Sequence, residues 1–177
     1  MDKDTELIER ARNGDIAAFK ELVTEHKRNV YYLAYDLTRC REDAEDVSQE
    51  VFIKAYNSLK NFRGDAKFGS WLYRITVNES INFEKRNKKV EQISENLRSV
   101  NYDPDKIYDN NALSDVITDA LMELDMLYRM PVVLKHFLDY SYKELSYLLG
   151  VPEKTVKSRL FTGRQLLKDL LVKKRVL

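Results

Sequence analysis

The stretch SYKELSYLLGVPEKTVKSRLFTGRQLL, residues 141 to 167, leaves its backbone little choice. Ser141 and Glu144 have the spacing of a capping box, in which a hydroxyl and a carboxylate satisfy N–H groups that a helix start leaves bare. Leu145, Leu148 and Leu149 follow at helical spacing, Gly150 supplies a left-handed stop, and Pro152 cannot prolong the helix it follows. A second helix then carries Val156, Leu160, Leu167 and Leu170 inward. Two short helices across a tight glycine turn, the second strongly basic, describe a helix-turn-helix that can lay its second member in the DNA major groove. Lys157, Ser158, Arg159, Thr162 and Arg164 fall near the start or on the polar face of that helix. Lysine and arginine suit phosphates or guanine edges, and serine or threonine suit either kind of group. An ordinary helical hairpin with a solvated basic face is the plainer alternative.

The rest of the chain is predicted to be helical as well. Five glycines and three prolines in 177 residues are few, and the abundance of Leu, Glu, Lys, Arg and Ala fits an all-α protein. Asp4 can cap a first helix that stops at Asn13-Gly14. A longer one from Asp15 carries Phe19, Leu22, Val23, His26, Val30, Leu33, Ala34 and Leu37 at helical spacing, so His26 reads as a core or boundary histidine. A third, about 41 to 60, buries Ala44, Val47, Val51, Phe52, Ala55, Tyr56 and Leu59. A fourth starts near Ser70 and runs into FEKRNKK, its apolar stripe poorer because Asn78 and Glu79 intrude where the next apolar positions belong, and from residue 89 to 111 periodicity fades around DPD. Beyond that, Leu113, Val116, Ile117, Ala120, Leu121, Leu124 and Leu127 mark another helix, and Pro131 suits the first turn of the next, which carries Val133, Leu134, Phe137 and Leu138 at core spacing. The expected organisation is two small helical domains, 1–90 and 112–177, joined by a linker at 91–111.

Charge is nearly balanced at +1 but segregated along the chain. Residues 41–50 hold five acids against one base, 60–90 eight bases against three acids, 91–125 nine acids against two bases, and 153–177 eight bases against two acids. Two basic patches flanking an acidic middle suit binding of a polyanion at two places. The single cysteine, Cys40, excludes a disulfide framework and leaves no partner for a Cys-based metal site, and no cofactor is expected. A charged N-terminus and the lack of an apolar run of about 18 residues point to a soluble, cytoplasmic protein without membrane insertion.

Two further surfaces stand out. Asp43, Asp46 and Glu50 lie at offsets of three and four on the outer face of the third helix. They fit solvated carboxylates, a basic protein partner, or a divalent-metal nuclease site, the last the least favoured because metal sites draw ligands from several elements. In FRGDAKFGSWLYRI, 62 to 75, Trp71, Leu72 and Ile75 read as core. That leaves Phe62, Arg63, Lys67, Phe68 and Tyr73, aromatics interleaved with bases around a glycine-containing loop, as a surface on which unpaired bases stack.

Taken in order, DAEDVSQEVFIKAY, FRGDAKFGSWLYRITVN, a linker and SYKELSYLLGVPEKTVKSRLF resemble the bacterial extracytoplasmic-function (ECF) sigma factors, the small two-domain branch of the sigma-70 family. The resemblance covers nearly the whole chain apart from the linker. It implies a sigma region 2-like domain, a sigma region 4-like domain, and a non-catalytic subunit that binds core RNA polymerase and directs it to promoters. It implies contact of Asp43, Asp46, Gln49 and Glu50 with the beta-prime clamp helices, and a further contact with the beta subunit. The minus-ten element would meet Phe62, Arg63, Gly64, Asp65, Lys67, Phe68, Tyr73, Arg74 and Asn78, the loop receiving a flipped base and Asn78 matching the family's base-contacting asparagine. The minus-thirty-five element, still duplex, would meet Thr155, Lys157, Ser158, Arg159, Phe161, Thr162 and Arg164. Lys157 replaces what is often arginine, and Thr162 stands where a basic residue is frequent. An anti-sigma factor is a further expected partner. The alternative is a helix-turn-helix regulator that acts on duplex DNA without joining the polymerase.

Overall fold

In a computed structural model, residues 3–93, 112–136 and 138–174 are described. All regular structure among them is helical, and the chain divides into two compact units, Met1–Ser99 and Val100–Leu177. Of the linker expected at 91–111, only residues 91–93 fall within the described part, and they continue a helix.

The first unit is built on α2 (Ile16–Thr38), against which α1 (Lys3–Arg12), α3 (Arg41–Ser58) and α4 (Phe68–Ile93) all pack. α2 starts after Asp15 as expected, the Asp15 carboxylate capping it by accepting the Ala18 N–H at 3.1 Å, and a left-handed Arg39 closes it with an N–H to the Tyr35 carbonyl. Leu22, Val30, Leu33, Ala34 and Leu37 are buried along the predicted stripe. From α3, Ala44, Val47, Val51 and Ala55 enter the same core, while Phe52 is half-buried and Tyr56 is exposed. A 3-10 turn, Leu59–Asn61, leads into the loop 62–67. Asp4 does not cap α1: it lies inside the helix, and its carboxylate meets His26 Nε2 at 3.0 Å. That contact satisfies the boundary histidine on the α2 stripe.

The poor apolar stripe of α4 has a physical explanation in hydrogen bonding. Thr76 and Ser80 are buried but donate their hydroxyls to the carbonyls of Leu72 and Thr76, at 2.9 and 3.0 Å. Buried Glu79 meets Lys54 Nζ of α3 at 2.6 Å, which compensates the carboxylate's loss of water. Polar residues thus occupy core positions without unpaired groups.

The second unit holds α5 (Ala112–Glu123), α6 (Met126–His136), α7 (Tyr142–Leu149) and α8 (Glu153–Lys173). Two boundaries differ from the sequence reading. The Asp125 carboxylate accepts the Leu127 N–H at 2.8 Å and starts α6 there, so Pro131 lies inside that helix rather than in its first turn. Leu127 consequently leaves the α5 stripe and is exposed. Phe137, also assigned to the core from its spacing, lies outside the described residues. The helix-turn-helix forms as expected: Ser141 and Glu144 make both capping-box bonds, at 3.2 and 2.8 Å, and Gly150 adopts φ 63°. Val156 and Leu160 anchor α8, which packs on α5, α6 and α7. Gly163 lets α8 pack closely on α6, since a Cβ there would lie 2.9 Å from a Val132 methyl and 3.0 Å from the Tyr128 carbonyl oxygen.

Candidate nucleic-acid interface

Each unit carries part of the candidate interface. In the C-terminal unit, the capping box and the Gly150 turn fix α7, and α8 leaves that turn with Leu145, Leu148, Val156 and Leu160 beneath it. Its outer face presents Lys157, Ser158, Phe161 and Arg164 to solvent, with Thr155, Arg159 and Thr162 half-buried at its margins. Phe161 is 66% exposed, unusual for a phenyl ring, and sits one turn beyond Lys157. Lys157 Nζ lies 5.3 Å from the centre of the Tyr142 ring, a contact that keeps its charge at the start of the helix.

Arg164 is held differently. Its Nε–H donates to His136 Nε2 of α6 at 3.0 Å. Burial, with Arg164 and Lys135 adding to it, pushes the His136 imidazole below the ordinary histidine value. The unfolded chain therefore binds more protons than the folded one as pH falls below about 6.5, and the C-terminal unit loses stability on acidification until the folded imidazole titrates. Protonation also removes the lone pair that accepts from Arg164. We expect an NMR titration to place the His136 midpoint below that of the unfolded chain, with Arg164 Nε–H shifting at the same pH.

In the N-terminal unit, Arg63, Asp65 and Lys67 are exposed on a loop that turns through Gly64 at φ 79°, a backbone conformation other residues rarely adopt. Asn78 is exposed on α4 and lines a groove of about 400 Å³ with Lys54, Asn57, Ser58, Ile75 and Glu79. Tyr73 and Arg74 are half-buried, and burial pushes the Tyr73 phenol up against the opposing effect of its hydrogen bond with Asn29.

The aromatics of this region divide differently from the sequence reading. Phe62 and Phe68 are 8% and 3% exposed and belong to the core, so neither offers a face on which a base stacks. Their rings meet each other at 5.7 Å and Trp71 at 5.0 and 5.5 Å, closing an aromatic cluster beneath the loop. Trp71 and Ile75, expected inside, are the partly exposed members, and of the three expected anchors Leu72 alone is fully buried. The reason is tertiary: α1 and His26 pack over Phe62 and Phe68, and nothing in the local spacing announces that cover.

On α3, Asp46 and Gln49 are exposed and Asp43 and Glu50 half-buried, with exposed Ile53 continuing the stripe one turn on. Among the described residues no three His, Cys, Asp or Glu side chains converge as a metal cluster requires. Sequence reasoning missed Ile53, which it assigned to neither face of the helix and which lies exposed on the polar one. It also missed Arg12, whose contacts with the loop span about fifty residues of sequence.

Two compact helical units, one with a basic loop and an exposed asparagine on the helix that follows it, and one with a braced, basic second helix, define a protein equipped to touch nucleic acid twice. Comparison with known proteins identifies the halves: residues 22–90 match the model of sigma-70 region 2, and residues 114–167 that of sigma-70 region 4. The ECF RNA polymerase sigma factor SigE of Mycolicibacterium smegmatis is 38% identical over 90% of this chain, which spans 65% of that protein's length. The ECF RNA polymerase sigma-E factor of Haemophilus influenzae is 32% identical, over 94% of both proteins. In fold, the chain matches the sigma factor RpoE of Bartonella quintana, solved in complex with the anti-sigma factor NepR. The TM-score is 0.69 at 23% identity, covering 88% of this chain and 98% of that one. The chain belongs to the sigma-70 family, in its extracytoplasmic-function branch, and is an RNA polymerase sigma factor.

Proposed function

We propose that the two units divide promoter recognition, as the family resemblance implies, with residues 91–111 as the tether between domains 1–90 and 112–177. The outer face of α3, with Asp43, Asp46, Gln49 and Glu50, docks on the beta-prime clamp helices of core polymerase, and the C-terminal unit adds a contact with the beta subunit. Phe161, Lys157, Ser158 and Arg164 enter the major groove of the minus-thirty-five element, flanked by Thr155, Arg159 and Thr162. Arg63, Gly64, Asp65 and Lys67 receive an unpaired minus-ten base, with Tyr73, Arg74 and Asn78 along the strand. Phe62 and Phe68 support this loop from below. The chain performs no catalysis of its own and works in the cytoplasm, where an anti-sigma factor is a further partner, as in the complex of the Bartonella quintana protein.

The observation that carries this reading is the exposure of Asn78, a polar side chain that lines a groove between α3 and α4 and lies outside the satisfied core of α4. Capture of a base that has left the stack shifts the duplex toward its open form by the difference in affinity for the two forms. Basic residues supply salt-dependent attraction that positions the chain without choosing the sequence. Asn78→Ala is therefore expected to fold normally and bind polymerase normally, but to lower the yield of open complex by roughly tenfold, the loss of about one good polar contact. Permanganate reactivity of unpaired thymines measures it. Unchanged reactivity would remove Asn78 from the interface.

A further inference from the structure

The match to sigma-70 region 2 begins at residue 22 and leaves out α1, yet α1 is fastened to the candidate minus-ten loop at both ends. At the loop's entrance, Arg12 Nε donates to the Leu59 carbonyl at 3.2 Å, and one of its terminal nitrogens donates to the Phe62 carbonyl. The guanidinium carbon lies 5.9 Å from the centre of the Phe62 ring, and the other terminal nitrogen pairs with Glu9 at 2.5 Å. A forked, planar donor set serves these acceptors together, which the point charge of a lysine cannot do. At the loop's exit, Asp4 holds His26, whose ring meets the Phe68 ring edge-on at 5.3 Å. Between the two fastenings α1 and the loop enclose a cleft of about 460 Å³, with Thr5 and Glu9 on one wall and Arg63 and Lys67 on the other.

We propose that Arg12 is a positioning residue for promoter opening: it fixes the carbonyls at the loop's entrance and so holds the cleft between α1 and the loop ready for an extruded base. The inference rests on the reading of loop 62–68 as the base receiver. Arg12 lines the cleft, but its guanidinium is engaged by the Leu59 and Phe62 carbonyls and Glu9, so it acts through the loop backbone. A loop already held at both ends loses little further freedom when a base enters, whereas an unfastened one must be ordered by the base itself. Loss of Arg12 thus weakens capture of the open form and spares docking by α3, whose outer carboxylates are not among the partners of Arg12.

The test uses holoenzyme assembled from the full chain and core polymerase, on a promoter that the wild-type enzyme opens, with 2-aminopurine placed in turn along the minus-ten element. Arg12→Ala is expected to lower open-complex formation about tenfold, the scale of a lost preordering contact. The preference among bases at the captured position should flatten, while preferences elsewhere in the element and the affinity for core polymerase persist. Arg12→Lys, which keeps the charge but not the fork, should fall between, and it carries the test if Arg12→Ala fails to fold. Wild-type opening and unchanged base preference in the Arg12 variants, alongside slowed opening by Lys67→Ala, would overturn the inference and leave the loop reading standing. A parallel fall of polymerase affinity, all base preferences and the unfolding midpoint would overturn it too, by making Arg12 a general stabiliser. If Arg63→Ala and Lys67→Ala also open the promoter normally, the loop reading itself fails and takes the inference with it.

Discussion

Phe68→Ala is expected to destabilise the N-terminal unit by about 3–5 kcal/mol, the usual cost of emptying a buried phenyl site. Phe68 is 3% exposed and meets Phe62, Trp71 and His26, so its removal leaves a cavity at the junction of α2, α4 and the loop. Against a total stability of about 5–15 kcal/mol for a domain, that loss takes away much of the margin. Urea unfolding of the full chain should show the transition of the N-terminal unit moving to markedly lower denaturant. Polymerase binding and promoter opening should then fail together. A stacking role for the ring predicts the reverse, an unchanged transition with a selective loss of promoter opening, and that result would return Phe68 to the interface.

Phe161→Ala is expected to do the opposite. The ring is 66% exposed and packs on little of its own unit, so stability should change by no more than about 0.5 kcal/mol. In the major groove a phenyl group meets the thymine methyl, and its removal should weaken binding to the minus-thirty-five duplex by about 1–2 kcal/mol, roughly 5- to 30-fold. Because the ring carries no charge, the dependence of binding on salt should keep its slope. Lys157→Ala, by contrast, should lower that slope by about one if the ammonium neutralises a phosphate. A Phe161→Ala protein that binds the duplex as tightly as wild type would exclude the ring from the interface.

These two phenylalanines also show how far the sequence could be read. Phe161 sits on a helix whose start and buried face are set by residues within one or two turns, so its exposure follows from the spacing of Val156 and Leu160. The same local logic made the helix start at Asp15, the Ser141–Glu144 box and the Gly150 stop legible. Phe68 lies where a loop becomes a helix. There the apolar period has not begun, and burial is decided by α1 and α2, distant in sequence. Glu79 seemed an intruder on the α4 stripe for a related reason: Lys54, which pairs with it, lies 25 residues earlier. Pro131 misled because proline is common in a first turn, while the Asp125 cap that starts α6 leaves no hydrophobic signal. Local chemistry therefore located the elements and the exposed basic face of α8. The division of the aromatic segment between core and interface required tertiary packing.

The most direct measurement of the central claim is transcription by core RNA polymerase supplied with this chain, on DNA fragments selected by the resulting enzyme. The account predicts transcripts that start at defined positions, depend on both units, and fall when either Asn78 or Phe161 is replaced by alanine. Tight binding of the chain to duplex DNA with no association with core polymerase, and no promoter-specific transcript, would contradict it.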